Sequence, residues 1–443
     1  MIIPQSRLLF WVSVLVLPFA TLAGVYDPAA LISLVLIGVF VLVVLVDAVL
    51  GLKALDAFTL RTAPVIRASK DRPANLELFV TNQSGWIRHL RIGFGVPSSI
   101  QMQREIFDLA IPDSEWSKVD CGFVGRVRGN FPLRRAYVEG PSPFGFWALR
   151  RSLPLDSEVR IYPNLLQDRN SLAALFLNRG LGGVHRQRQI GKGREFEKLR
   201  EYVPGDGFDE VHWKATARRG RPITKVFQIE RTQEVYVILD ASRLSGRPAG
   251  AAESAVPILE RYITAALVLG LAAERQGDLF GLVAFSDKIE SFVRARNGKA
   301  HYHACRDAIY ALQPKTVTPD FDELASFIRL RLRRRALLLV LTDLNDPVLA
   351  ESFVRNADLL RRQHLVLVNM IKPAGADPLF SHPDVQTEDD LYHELGGHLQ
   401  WHNLRELQKV LQRRGVDFTL LENERLSVDL VTEYLNVKQR QLL

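Results

Sequence analysis

Cysteine is almost absent from this chain: Cys121 and Cys305 stand far apart among 443 residues. A secreted scaffold stapled by disulfides carries more, in spaced sets, and a zinc site needs Cys and His at close intervals. Both therefore read as buried thiols in a reducing compartment. A phosphate-binding G-x-x-x-x-G-K-[ST] loop is also missing, since Gly191-Lys192 is followed by Gly193 and Arg186 stands where the first glycine belongs. The Leu338–Asp343 stretch mimics a Walker B strand without its partner loop, which excludes nucleotide binding by that device. His393-Glu394-Leu395-Gly396-Gly397-His398 fails as a zinc-protease helix. Its histidines lie five apart, roughly 140° around the axis instead of on one face, and paired glycines weaken the helix there.

What is present is apolar and basic. Hydrophobic residues make up 47% and charged ones 24%, a globular composition, with a net charge of +8. That balance favours acidic neighbours, of which anionic lipid is the simplest for a membrane protein. Leu8 to Val25 carries no charge and as a helix rises roughly 27 Å, about the hydrocarbon thickness. Pro18 should kink it. After Tyr26-Asp27-Pro28 a second apolar run spans Ala29 to Val46 and ends at Asp47. The expectation is a transmembrane hairpin over residues 1–55, with spans at about 8–25 and 29–46, embedded in a lipid bilayer. The turn carries Asp27 and no Lys or Arg, whereas Arg7 precedes the first span and Lys53, Arg61, Arg67, Lys70 and Arg72 follow the second. The positive-inside rule then predicts a cytosolic main body.

Residues 60–165 show short strands broken by Gly, Pro and Asn (Leu76–Val80, Leu90–Val96, Val124–Val127, Arg135–Val138, Glu158–Tyr162), which predicts a small antiparallel β-domain. Residues 166–230 are polar and basic. The Arg179–Arg231 stretch interleaves aromatics with Arg and Lys, but Glu195, Glu197, Glu201, Asp206, Asp209 and Glu210 would repel phosphate. It reads as a protein-contacting or salt-bridged surface, not a nucleic-acid site. Over 231–443, apolar strand cores (Val235–Leu239, Leu279–Phe285, Ala336–Leu341, Leu365–Ile371, Phe418–Leu421) alternate with amphipathic helices, predicting a doubly wound α/β domain with a parallel sheet. In such sheets ligands sit beyond the strands' carboxyl ends. Two strands end in acids, at Asp240-Ala241-Ser242 and Thr342-Asp343. With Thr316 or Thr318 they could offer Mg²⁺ hard oxygen ligands, or else cap helices and shape turns.

The segment Gly193-Arg194-Glu195-Phe196, Leu199-Arg200-Glu201-Tyr202-Val203-Pro204-Gly205-Asp206, Trp213-Lys214 and Arg218, with Arg128-Gly129 and Pro143-Phe144-Gly145-Phe146 upstream, resembles the signature of the domain-of-unknown-function family number 58. That resemblance implies a bacterial inner-membrane protein with a β-sandwich-like part and a von Willebrand A-like domain. Its implied partners are a MoxR-type AAA+ ATPase and a transglutaminase-like membrane protein. It also implies an adhesion-type metal site D-x-S-x-S. Asp240 and Ser242 match the first two positions, Thr316 or Thr318 the threonine and Asp343 the last acid, while Leu244 stands where the second serine belongs. The expected function is a membrane-tethered adaptor for the ATPase. The alternatives are a metal-dependent hydrolase and a ligand-free envelope protein.

Overall fold

The computed structural model describes residues 1–443 except 53, 83–86, 88, 112–115, 179–189, 204–206, 209–210, 229–232, 251–255, 380, 382–386 and 441–443, and only the backbone of 167, 169, 175–178, 190–198 and 226–228. The signature residues Pro204, Gly205 and Asp206 thus lie outside the described residues, and Arg194, Glu195 and Phe196 are described by backbone alone. The chain forms two compact units, Met1–Asn164 and Leu165–Leu443.

In the first unit, two helices, Ser6–Val25 and one that begins at Asp27, are long and apolar enough to cross a membrane. Pro18 has no N–H to give to the preceding turn, and the first helix widens into a π-type turn over Val12–Val16 just before it. The second helix starts with Pro28 in its first turn and runs to Gly51. The helix thus continues for a turn past Asp47, where the apolar run stops. The residue is fully buried because its carboxylate is used elsewhere in the unit: it accepts from Ser142 Oγ (2.5 Å), the Phe144 N–H (2.9 Å) and the Phe146 N–H (3.2 Å). Trp147 Nε1 donates to the Val44 carbonyl (3.0 Å), and Phe146 meets Phe40 edge-on. The Pro-Phe-Gly-Phe turn is thus a clamp on the second helix.

The rest of the unit is β-structure. Strands β1 (Ile2–Pro4), β2 (Phe58–Thr62), β3 (Val65–Ser69), β4 (Pro73–Asn82), β5 (His89–Phe94), β6 (Ile100–Met102), β7 (Ile106–Ala110), β8 (Ser117–Gly125), β9 (Gly129–Pro141) and β10 (Trp147–Tyr162) form two sheets. One has the order β1-β10-β9-β5-β7, with β3 also on β10; the other is β2-β4-β8-β6. Alternate residues of both sheets (Leu76, Leu78, Val80 and Phe123 from one, Ile92, Val138, Val159 and Ile161 from the other) share one buried core. Cys121 lies in it, and burial pushes its thiol up to about 12.

The second unit begins with the helix Leu166–Asn178, then β11 (Ile190–Glu201), the short helix Trp213–Arg219 and β12 (Ile223–Gln228). β11 and β12 pair antiparallel, with Arg200 opposite Thr224 and Glu201 opposite Ile223. Next come β13 (Glu234–Asp240), β14 (Leu279–Phe285), β15 (Ile289–Arg296), β16 (Leu337–Leu341), β17 (Leu365–Ile371) and β18 (Asp417–Leu421). They form a sheet of order β15-β14-β13-β16-β17-β18, parallel except for β15. One face packs on the helices Ile258–Gln276 and Leu426–Gln439, the other on Phe321–Arg331 and Pro347–Leu360. Strands covered on both sides explain the unbroken apolar runs.

Candidate functional site

A parallel sheet brings its strand ends to one edge, and β13 and β16, neighbours in register, deliver Asp240 and Thr342-Asp343 side by side. One oxygen of the fully buried Asp240 carboxylate accepts from the Ser242 N–H (2.8 Å) and the other from the Thr342 hydroxyl (2.6 Å). Asp343 accepts from the Asn345 N–H (2.9 Å) and from Arg247 Nη1 (3.2 Å). Burial raises both carboxyls above the ordinary range, opposed at Asp240 by the Thr342 and Ser242 hydrogen bonds and at Asp343 by the Asn345 N–H and Arg247. Beneath them Tyr262, fully buried, donates to the Thr342 carbonyl, and its phenol is pushed well up by burial and by the two acids.

Ser242 and Leu244 shape the turn rather than open it: Ser242 Oγ accepts from the Leu244 N–H, Leu244 is buried, and Ser245 Oγ donates back to the Ser242 carbonyl (2.9 Å). The loop carrying Thr316 and Thr318 reaches the same edge, tied by the Lys315 N–H to the Ala241 carbonyl (2.8 Å) and the Arg243 N–H to the Val317 carbonyl (2.9 Å). Both threonines are exposed, and among the described residues neither bonds to either carboxylate. A divalent cation here would compete with the Arg247 guanidinium for Asp343 and would find a leucine where the motif has its second serine, while each Asp240 oxygen, accepting one bond, keeps a further lone pair. The arrangement is a degenerate form of the adhesion-type set, with Asp343 engaged by Arg247. Arg247 and Thr342 went unread in the sequence. Thr342, adjacent to Asp343 at a strand end, was the available signal; Arg247 sits among several arginines and carried none.

The His393–His402 region is part of the continuous helix Glu388–Arg413. His398 Nδ1 accepts from the Leu379 N–H (3.1 Å), and its ring stacks on Trp401. That fastens the chain at Leu379 to the helix. His393 and His402 are exposed. Cys305 is buried in the α/β core, its thiol pushed up to about 12 by burial.

The signature segment presents the unit's other distinctive surface. His212 caps the Trp213–Arg219 helix, Nδ1 accepting from the Ala215 N–H, and the Thr216 hydroxyl accepts from the Ile223 N–H. Gly220, at φ +68, ends it. So fastened, the segment holds Phe208 (77% exposed) against Trp213 (58% exposed) with ring centroids 5.2 Å apart. Exposed Lys214, Arg218 and Arg219 follow. Glu201 pairs with Arg221 (2.6 Å), and Tyr202 is half-exposed beside them.

A family model described as a protein of unknown function, DUF58, matches residues 198–382, from the end of β11 through the acid-bearing edge. An uncharacterized protein of Mycobacterium tuberculosis and another of Mycobacterium bovis are each 24% identical over 200 residues, which is 44% of this chain and 61% of theirs. The chain thus matches less than two thirds of those relatives' length. Among solved structures, an aerotolerance-related membrane protein of Bacteroides fragilis is similar at 13% identity and TM-score 0.31 over 47% of this chain and 99% of that one. BatB of Bacteroides thetaiotaomicron is similar at 13% identity and TM-score 0.28 over the same shares.

Proposed function

We propose that this chain, matched by the DUF58 model over its central segment, is a membrane-anchored adaptor whose α/β unit, of von Willebrand A type, receives a soluble protein at a bacterial inner membrane. The partner in this reading is a MoxR-type AAA+ ATPase acting on proteins at the bilayer, among them a transglutaminase-like membrane protein. The observation that carries it is the Phe208–Trp213 pair. Two large aromatic side chains left open to water on a short, well-capped helix, with a cationic flank, have the composition of an interface hot spot. The flank suits an acidic partner face. A hydrolase needs a group free to act as base or nucleophile. At the sheet edge both oxygens of Asp240 accept from the protein itself, and Asp343 is paired with Arg247, which favours a rigid recognition surface over turnover.

The test is capture of the full chain from solubilised membranes with the ATPase present, with and without nucleotide. Wild type should retain the ATPase and Trp213→Ala should retain roughly thirtyfold less, the scale of one hot-spot side chain. Because Trp213 is exposed, melting should barely change. No recovery of the ATPase with wild type, in either nucleotide condition, would sink the reading.

A further inference from the structure

At the foot of the first span the structure opens a cavity of about 610 Å³, walled by Ile3, Gln5 and Arg7 on one side and His89, Arg91 and Arg150 on the other. Its shape is fixed by main-chain bonding. β1 pairs with β10, Ile3 opposite Ala148 and Pro4 opposite Trp147, and the Gln5 N–H donates to the Phe146 carbonyl (2.9 Å). The chain thus enters the span at a set height against the sandwich.

The charges in this wall do not cancel. Arg91 is held by Asp108 (2.9 Å) and Glu139 (3.5 Å), and Arg150 also uses Glu139 (2.5 Å). Three arginines therefore face two acids. Arg7 is the one left over: among the described residues it has no hydrogen-bond or ion-pair partner. Its guanidinium lies against Gly145, where a φ of +77 and the missing Cβ make room; a Cβ there would stand 3.0 Å from Nη1. Beyond the buried Leu8 the helix is apolar and open, with Leu9 at 61%, Phe10 at 60% and Trp11 at 44% exposed. Arg7 thus lies about half a turn outside the first exposed apolar side chain, a place suited to phosphate groups.

We propose that this cavity holds the headgroup of an anionic phospholipid, its phosphate paired to Arg7. A planar guanidinium takes two phosphate oxygens at once. With Asp108 and Glu139 already engaged by Arg91 and Arg150, the lining keeps one positive charge in excess, which a zwitterionic headgroup would add to with its own cation, whereas a phosphatidylglycerol-type headgroup brings hydroxyls. The cavity's position beside the lipid-facing helix selects a lipid over a free ion. The proposal rests on the two helices lying in a bilayer, which resistance to alkaline extraction from vesicles reports separately.

The full chain is exchanged into nanodiscs of phosphatidylcholine with a minority of phosphatidylglycerol, and lipids retained on re-extraction are counted by native mass spectrometry. Wild type and Arg61→Ala, an exposed arginine outside the cavity, should both retain phosphatidylglycerol over phosphatidylcholine. Arg7→Ala should lose that preference by roughly fivefold, the worth of one arginine at an anionic surface, and Arg7→Lys should keep most of it. Melting of Arg7→Ala should match wild type, since Arg7 makes no bond in the fold. Equal retention by Arg7→Ala and Arg61→Ala would overturn the proposal, as would equal retention of the two lipids by wild type. Inorganic phosphate binding lipid-free micelles with the same Arg7 dependence would make this a free-phosphate site and overturn the lipid assignment.

Discussion

Arg247 stands where a cation is needed and supplies one from within the chain. Asp343 is nearly buried, its side chain 9% exposed, while Arg247 remains 46% exposed. The Asp343 carboxyl lies above its ordinary 3.8 because burial outweighs the Asn345 N–H and the guanidinium. A folded value above the unfolded one means the folded chain binds more protons between the two. Stability therefore falls as pH rises through that window and stays lowered above it. Arg247→Ala removes an opposing charge, so the folded value climbs and the window widens upward. The variant should lose about 1–2 kcal/mol near neutral pH, a figure discounted for the exposed arginine, and much less near about pH 4. Adding Asp343→Asn should erase most of that pH dependence. Thermal melts across pH check it: a loss independent of pH would mean that Arg247 acts through packing alone.

At the scale of elements, the helix Glu388–Arg413 shows what a pattern reveals and what it hides. Its periodicity predicts a helix from Asp389 to Arg414, within a residue of the observed ends, and in the structure Thr387 with Asp390 forms a capping box. The two glycines inside it look alike in sequence, both weakening the helix. In the structure they differ. A Cβ on Gly396 would meet nothing within 4 Å, whereas one on Gly397 would stand 1.9 Å from the Gly375 carbonyl oxygen. Gly396→Ala should stabilise by about 1 kcal/mol through helix propensity. Gly397→Ala should destabilise by about 2 kcal/mol or more, because a backbone atom cannot step aside. Denaturant melts of the pair should move in opposite directions; a shared sign would refute the contact. The same division runs through the rest of the fold. The apolar strands of the parallel sheet were legible because burial on both faces leaves no polar interruption. The antiparallel edge strand β15 was missed because its half-buried alternation of Ser, Arg and apolar residues has no such signature. The convergence of Asp240 and Asp343 followed from strand-end geometry. The partners of those acids did not, since Arg247 and Thr342 are chosen by turns whose course only the folded chain defines. Asp47 looked like the end of a span because its three donors stand about a hundred residues away.

For the whole molecule, the clamp on Asp47 decides which inference about orientation is available. The Asp27–Gly51 helix is fastened at its far end to the turn between β9 and β10, and β1 is zipped onto β10 ahead of the first span. Both ends of the hairpin are therefore bound to one sandwich, which can lie on only one side of a bilayer. The hairpin's turn carries Asp27 as its one charge, and basic residues gather at the sandwich end, so the positive-inside rule gives the proposed adaptor its expected orientation, sandwich end in the cytosol. Among the described residues, the two helices of the hairpin are the candidate spans, and the adaptor proposed above requires the α/β unit on the cytosolic side. Protease added to intact spheroplasts should leave the chain at full length. In inverted vesicles it should remove the α/β unit while the hairpin stays in the membrane fraction. Cleavage of the α/β unit from outside would place it away from every cytosolic ATPase, and the adaptor reading would fall with it. The headgroup cavity would survive that result, because it asks only that the foot of the first span meet phosphate, on whichever side of the bilayer that foot lies.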